Sequence, residues 1–153
     1  MGMDVYGIAP ENEIGEYFRN NVWYWRPLWE FCCELDCELA DKVPLAYSND
    51  GDGLKNCEDC VLLADKIQNS IDNGFADFYI RQREIRLSLL QEEVCHLCNG
   101  TGSRIDDLGR NNVCYYCSGQ GKTPHWDTHY HLDIENIKNF EKFLRSCGGF
   151  RIC

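Results

Sequence analysis

Residues 95–102 read CHLCNGTG and residues 114–121 read CYYCSGQG, so the pattern Cys-x-x-Cys-x-Gly-x-Gly occurs twice in this chain. Two such pairs provide four thiolates, a closed tetrahedral set that zinc prefers. The glycines allow positive φ angles, so that backbone N–H groups can point at the sulfurs. The sequence therefore predicts one structural zinc ion, with free or disulfide-bonded thiols as the alternative. The predicted ligands are Cys95, Cys98, Cys114 and Cys117.

The doubled motif resembles half of the DnaJ-type cysteine-rich zinc domain, in which two such units hold each ion. The resemblance spans 27 residues, from 95 to 121, and the chain has no His-Pro-Asp triplet of a J-domain. It implies the same four ligands and a role in binding other proteins. The segment is also similar to the small anti-TRAP regulators, where one zinc held by two such units serves to bind another protein. The flanks, residues 15–29, 49–54 and 148–153, resemble small proteins of bacteria and their phages, which implies an origin without an activity.

The composition predicts a mostly helical α+β protein with a hydrophobic core. Hydrophobic residues make up 44% of the 153 positions and aromatic residues 12%, which excludes a disordered chain. There is no run of about 18 apolar residues, and the first residues lack the basic and apolar regions of a secretory signal. Eleven cysteines without such a signal favour a reducing compartment. We therefore expect a soluble cytoplasmic protein.

The net charge of −10 is concentrated in the first part of the chain. Residues 1–93 hold 19 acidic and 8 basic side chains, whereas residues 94–153 hold 6 and 7. An acidic surface repels phosphate, which argues against a broad nucleic-acid-binding surface there. It is instead suited to a basic protein surface, although an ordinary solubilising surface is the simpler interpretation.

Three regions are predicted to form one compact unit. Residues 1–93 are an acidic, aromatic-rich helical region, and residues 94–124 are the zinc module with a small β-hairpin. Residues 125–153 carry a C-terminal helix that packs back on the first region. A short strand over residues 3–8 is expected to pair with residues 150–153.

Local signals place the helices. Pro27 suits the first turn of a helix that continues to Leu39. Asn56 caps the next helix, which Gly74 ends. Asp133 caps the last helix.

A further helix is predicted over residues 75–92, packed antiparallel against its predecessor because the connection is short. Its arginines, Arg81, Arg83 and Arg86, are expected to be solvated. Its apolar stripe is predicted to contain Phe75, Phe78, Ile85 and Leu89.

The tryptophans at positions 23, 25 and 29 lie close together in the sequence. Aromatic side chains at this density are typical of a core, because each ring buries a large area. A stacking platform for bases or a peptide groove is the alternative, since Arg19 and Arg26 flank the cluster.

Three histidines, His125, His129 and His131, follow the doubled motif, with Asp127 between them. They raise the alternative of a metal-dependent hydrolase or an HNH-type nuclease. The HNH pattern requires a last histidine after the asparagine, and none follows here. A zinc deaminase is disfavoured because the chain has no His-x-Glu.

Other patterns carry weaker signals. Cys57-Glu-Asp-Cys60 resembles a redox pair at a helix start, but its two acids raise the thiol pKa. A second zinc site joining this pair to Cys32, Cys33 or Cys37 is an alternative, and buried small hydrophobes are the simpler interpretation. Residues 49–54 look like a calcium loop, yet the twelfth position would be Cys60 instead of Glu.

The favoured hypothesis is a non-enzymatic zinc-binding protein that acts by protein–protein interaction. No catalytic residue is assigned. If the chain is phage-encoded, its partner would be a host protein. The alternatives are nucleic-acid binding by the zinc module and the metal-dependent hydrolase described above. Nucleic-acid binding would use Arg104, Arg110, Lys122, Tyr115 and Tyr116.

Overall fold

The computed structural model describes residues 2–153. It confirms a mixed α+β fold in which helices predominate and the sheets are small and antiparallel. The chain forms two compact units: one comprises the residues up to Glu84 together with Tyr130–Cys153, and the other comprises Ile85–His129. In the part of the chain that is described, no helix is long and apolar enough to cross a membrane.

The first unit contains a three-stranded antiparallel sheet, in which the first strand lies between the second strand and the last strand of the chain. Its strands are β1 (Val5–Gly7), β2 (Tyr17–Phe18) and β7 (Phe150–Ile152). The predicted pairing between the two ends of the chain is confirmed, because β1 pairs with β7 from Val5–Ile152 to Gly7–Phe150. No sequence pattern indicated β2, since a two-residue strand has no measurable periodicity of its own.

Six α-helices complete the described chain, and asparagine or aspartate caps three of the longer ones. The Asn56 side chain accepts from the Asp59 N–H at 2.8 Å, and the Asp133 side chain accepts from the Asn136 N–H at 2.7 Å. Both predicted caps are therefore confirmed. The helices are α1 (Glu13–Glu16), α2 (Val22–Leu35), α3 (Cys37–Ala40), α4 (Cys57–Asp72), α5 (Phe75–Ser88) and α6 (Ile134–Ser146).

Helix α2 begins five residues before the predicted first turn. The Asn21 side chain caps it by accepting from the N–H groups of Trp23 and Tyr24, so Pro27 lies inside the helix and its assignment to the first turn was wrong. The predicted single helix to Leu39 is also interrupted. Asp36 caps the end of α2 and the start of α3, because its side chain competes with the helical backbone for the Leu39 N–H.

The core of the first unit is built around two tryptophans of α2. Trp25 and Trp29 are fully buried and their rings stack with centroids 5.7 Å apart. The indole N–H of Trp25 donates to the Ala46 carbonyl at 2.6 Å, as a buried polar atom requires. Phe140 and Phe150 pack edge-on against Trp25. The core interpretation is confirmed for Trp25 and Trp29.

Helix α5 differs from its prediction in its length, in its packing and in which of its side chains are buried. It ends at Ser88, and α4 packs mainly against α6 instead of against α5. The predicted stripe is wrong for Phe78, Ile85 and Leu89, which are 53%, 53% and 76% exposed. Arg83, predicted to be solvated, is only 8% exposed.

The burial of Arg83 has a physical reason. Its Nη1 lies 3.2 Å from Glu30 Oε2, and its Nη2 donates to the Tyr130 carbonyl at 3.4 Å. A buried guanidinium needs an opposite charge and acceptors. A prediction from hydrophobic periodicity assigns every arginine to the solvated face of a helix, so it could not identify this buried ion pair.

Candidate metal centre

The second unit is organised by two short antiparallel ribbons that link the two cysteine motifs. Strand β3 (Glu93–Val94), before the first motif, pairs with β6 (Lys122–Thr123), after the second. Strand β4 (Ser103–Ile105), after the first motif, pairs with β5 (Asn111–Val113), before the second. Each motif is thus held at both ends by strands that pair with the strands of the other motif. The ribbons provide the geometry that brings the four cysteines together.

Backbone hydrogen bonds reinforce this exchange with the same geometry in both directions. The Cys95 N–H donates to the Gly121 carbonyl, and the Cys114 N–H donates to the Gly102 carbonyl, each at 2.9 Å. The first cysteine of each motif is therefore bound to the last glycine of the other. The two motifs form an approximate internal two-fold arrangement.

The turns within the two motifs have nearly the same φ angles at equivalent positions. The φ angles are 48° at Asn99 and 84° at Gly100, against 50° at Ser118 and 83° at Gly119. The last glycines, 102 and 121, have φ angles of 72° and 73°. A Cβ at either of these two positions would lie 2.3 Å from a backbone carbonyl oxygen of the other motif. Only glycine fits there, because both the φ angle and the contact exclude a side chain.

The four cysteine thiols form one buried cluster. Their Sγ atoms all lie within 4.8 Å of one another, and each residue is at most 6% exposed. The Cys95–Cys114 and Cys98–Cys117 sulfur pairs are 3.9 Å and 3.7 Å apart. A tetrahedral zinc–thiolate site with Zn–S distances of ~2.3 Å has sulfur–sulfur edges of about 3.8 Å. The cluster thus has the ligand number, burial and spacing of a metal site.

Two backbone N–H groups donate hydrogen bonds to sulfurs of this cluster. The Gly102 N–H donates to Cys98 Sγ at 3.3 Å, and the Gly121 N–H donates to Cys117 Sγ at 3.2 Å. Such bonds stabilise thiolate charge and orient the sulfur lone pairs. The glycines of the motif therefore shape the turn and also stabilise the charge on the sulfurs.

The electrostatics of the cluster favour a cation. Burial raises the pKa of Cys95 to about 11. Burial acts in the same direction at Cys98, but the Gly102 N–H and the neighbouring thiols outweigh it and lower the pKa of Cys98 to about 6. Without an ion, close thiols resist carrying more than one negative charge. A divalent cation removes that conflict and allows all four thiolates to form.

Two valines belong to the motif although the sequence interpretation did not include them. A Cβ at Gly100 would lie 3.3 Å from Val94 Cγ1, and one at Gly119 would lie 3.1 Å from Val113 Cγ1. Each valine immediately precedes the first cysteine of its motif and lies against the first glycine of the same motif. The signal was present in the sequence, because both repeats read Val-Cys-x-x-Cys-x-Gly-x-Gly.

The histidines after the motif do not form a second metal group. The His125 Nε2 atom lies 3.3 Å from Glu93 Oε1, and the His125 Nδ1 accepts from the Asp127 N–H at 3.1 Å. The ring of His129 packs against Trp126, and the ring of His131 packs against Tyr24. Each imidazole has its own neighbour, so the structure does not gather the three predicted ligands.

The weaker metal patterns have the same outcome. Among residues 2–153, the four clustered cysteines are the only group of three or more His, Cys, Asp or Glu residues close enough to share an ion. The second zinc site drawn from Cys32, Cys33, Cys37, Cys57 and Cys60 is therefore not formed. Residues 49–54 are bends and irregular backbone, in which Asp52 accepts from the Leu45 N–H and pairs with Lys55.

The second unit also exposes large apolar side chains. On the β4–β5 hairpin and the following turn, Ile105, Leu108, Val113 and Tyr115 are 70–76% exposed. In the hairpin register, Val113 pairs with Ser103, two residues before Ile105, so Ile105 and Val113 lie on one face. We call these four residues the hairpin patch. Ile105 and Val113, exposed on one face, are apolar groups of the kind that interaction surfaces present.

Comparisons with known proteins add no further identification. A scan against protein-family models found no match, and searches of the curated proteins and of the solved structures found none either.

Proposed function

We propose that this protein binds one structural zinc ion through Cys95, Cys98, Cys114 and Cys117. The observation that carries the proposal is the sulfur spacing, which fits a tetrahedral zinc–thiolate site. When bound, zinc neutralises the thiolates and cross-links the two motifs. Four protein ligands leave no coordination position for a catalytic water. The site therefore acts as a brace and does not perform chemistry.

The two cysteine motifs hold the β4–β5 hairpin between them. We propose that the hairpin patch binds another protein. The exposure of the patch supports this proposal, since four large apolar side chains within eleven residues would otherwise remain in water. Binding would bury them and supply the hydrophobic free energy of association. The resemblance to DnaJ-type and anti-TRAP segments agrees with this use. The four ligand cysteines must stay reduced to bind the ion, which a reducing compartment favours, so we propose a cytoplasmic location.

Protein is preferred to nucleic acid as the partner because of the charges of the second unit. Residues 85–129 hold four basic and five acidic side chains. Arg110, one of the residues proposed to contact phosphate, is paired with Asp106 at 2.8 Å. A phosphate-binding surface needs unpaired cations in excess. The charges therefore support an apolar protein contact.

Metal analysis tests the first step. We expect about one zinc per chain in the purified protein, and we expect Cys98→Ser to lower both zinc content and thermal stability. Cys37→Ser is the matched control, because Cys37 is exposed and lies outside the cluster. The zinc assignment would be refuted if the purified wild type contained no zinc and Cys98→Ser had the same thermal stability as the wild type.

The partner step is tested separately by affinity capture from the lysate of the native host. We expect the wild type to retain a stoichiometric protein that the double variant Ile105→Ser/Leu108→Ser loses while keeping its zinc. Leu62→Ser is the control, since Leu62 is an exposed apolar residue of α4. Equal capture by all three proteins would contradict the hairpin patch as the binding surface. Capture of nucleic acid that weakens steeply with salt would favour the alternative partner.

A further inference from the structure

The first unit contains a polar cleft that the metal centre does not involve. It has a volume of about 830 Å³ and lies beside the starts of α2 and α6. A second cleft of about 460 Å³ lies against the middle of α6. The two clefts share four lining residues, so we treat them as one groove and call it the α6 groove. The shared residues are Tyr17, Arg19, Asn136 and Asn139.

A relay of amide groups leads to one unsatisfied donor in the wall of this groove. The Asn21 N–H donates to Asn20 Oδ1 at 2.9 Å, and Asn20 Nδ2 donates to Asn136 Oδ1 at 3.5 Å. This order fixes both amides, because turning either one would place two donors face to face. Asn136 Nδ2 is consequently left as a buried donor with no partner in the described chain. Such a group normally marks a missing acceptor.

Several other groups of the wall are also without a protein partner. Within residues 2–153, the side chains of Arg19, Glu135, Asn139 and Lys142 take part in no hydrogen bond or ion pair. The main-chain N–H and C=O of Arg19, next to the edge strand β2, likewise bond no other backbone group. Cations, an anion and the Asn139 amide are therefore all available to a ligand at one surface.

These groups have an order along the groove. Glu135 lines the first cleft and Lys142 the second, and Asn139 lies between them. The seven-residue separation of Glu135 and Lys142 on one helix corresponds to about 10.5 Å and to nearly the same face. An extended peptide in the polyproline conformation advances about 9.3 Å in three residues and returns to the same side. The charges at the two ends thus match side chains three residues apart in such a peptide.

The asparagines match the main chain of the same ligand. A side-chain amide offers one carbonyl and one NH2 group, which complement the N–H and C=O of a peptide bond. Asn139 is exposed and has both functions free, and Asn136 Nδ2 is a buried donor without an acceptor in the described chain. A free ion or a single amino acid would use the charges but would leave these amides unmatched.

We propose that the α6 groove binds an extended peptide segment with a basic side chain and an acidic side chain three residues apart. The basic side chain pairs with Glu135, and the acidic one pairs with Lys142 and Arg19. The amides of Asn136 and Asn139 bond the peptide backbone between them. This site is separate from the proposed protein contact of the second unit, so either can fail without the other.

The test uses the full, zinc-loaded chain and NMR titration with an acetylated and amidated tetrapeptide, Lys-Ala-Ala-Glu. We expect saturable shifts of the side-chain amides of Asn136 and Asn139 and of the Arg19 backbone amide. Lys142→Ala should weaken binding several-fold, and Glu135→Gln should do the same. Lys138→Ala should leave it unchanged, because Lys138 is an exposed lysine of α6 that does not line the groove.

Two control ligands make the result decisive. The uncharged peptide Gln-Ala-Ala-Gln should bind much more weakly than Lys-Ala-Ala-Glu. A mixture of free lysine and glutamate should produce no saturable shift. The proposal is overturned if no saturable shift occurs at millimolar peptide, if the free amino acids act as well as the peptide, or if Lys142→Ala and Lys138→Ala behave alike.

Discussion

The backbone N–H of His131 donates to the carbonyl of Trp23 at 2.9 Å. In a regular helix that carbonyl would accept from the residue four positions on, which here is Pro27. Proline has no N–H, so the long-range bond from His131 supplies the donor that the helix lacks. A proline inside α2 is tolerated because the segment before α6 satisfies the acceptor it leaves open.

Because of the bond between the Trp23 carbonyl and the His131 N–H, substitutions at His131 and Pro27 should have non-additive effects on the free energy of unfolding. His131→Pro removes the donor and should lower the free energy of unfolding by about 1–3 kcal/mol relative to His131→Ala, which keeps its N–H. In a Pro27→Ala background this difference should shrink, because the substituted alanine supplies a helical N–H to the same carbonyl. Urea unfolding of the four proteins gives the coupling energy. Equal differences in both backgrounds would contradict the explanation.

The buried Arg83 predicts unequal effects for the two members of its ion pair. Glu30→Ala leaves a guanidinium that is 8% exposed without its counter-charge, and we expect a loss of roughly 1–3 kcal/mol in unfolding free energy. Arg83→Met should cost less, because methionine fills the space and Glu30, 47% exposed, can be solvated. Chemical denaturation of both variants measures the order. A larger loss for Arg83→Met would show that the guanidinium contributes more than its burial costs.

Alanine substitution should have different effects at two glycines with similar φ angles, Gly102 inside the metal motif and Gly109 outside it. Gly102 and Gly109 have φ angles of 72° and 75°, but a Cβ at Gly102 would lie 2.3 Å from the Gly119 carbonyl, whereas one at Gly109 would meet nothing within 4 Å. Gly109→Ala should therefore cost only about 1 kcal/mol, from the left-handed conformation. Gly102→Ala should also reduce zinc content and separate the two motifs. Metal analysis and thermal unfolding distinguish them, and equal zinc content in both would count against the proposed contact.

The stability of the first unit should depend on pH through Asp36. The Leu39 N–H and the Lys66 ammonium hold the pKa of its carboxyl below the usual value. Because the folded-state pKa is the lower one, the carboxylate stabilises the fold above about pH 4, and this contribution is lost as pH falls through the folded-state pKa.

Asp36→Asn makes this dependence measurable, since asparagine retains the capping acceptor but not the charge. At pH 7 the variant should be less stable by up to about 1 kcal/mol, as expected for a partly exposed ion pair. The difference should shrink as the pH falls below about 4, and it should be smaller at pH 7 in a Lys66→Met background. Tryptophan fluorescence of Trp25 and Trp29 follows the unfolding. A difference that grows on acidification would contradict the assigned sign.

Local signals in the sequence determined much of this structure. The caps at Asn56 and Asp133 and the stop at Gly74 follow from interactions within a few residues, so a single sequence predicts them. The four clustered cysteines were predictable for the same reason, because the repeated spacing encodes the turn that each pair needs. The terminal strand pairing was also predicted, from two short apolar runs.

Contacts between distant residues decided the remainder. The tolerance of Pro27 inside α2, the packing of α5 and the burial of Arg83 depend on partners far away in the chain, namely His131, Phe31 and Glu30. Local propensity is worth less than about 1 kcal/mol for most residues, and tertiary context routinely overrides it. The amide relay from Asn21 to Asn136 joins residues more than a hundred positions apart, so no local pattern could reveal it. The sequence determined which residues can hold a metal and cap a helix, and the tertiary structure decided which polar groups are left without a partner, because satisfaction of a hydrogen bond depends on what lies nearby in space.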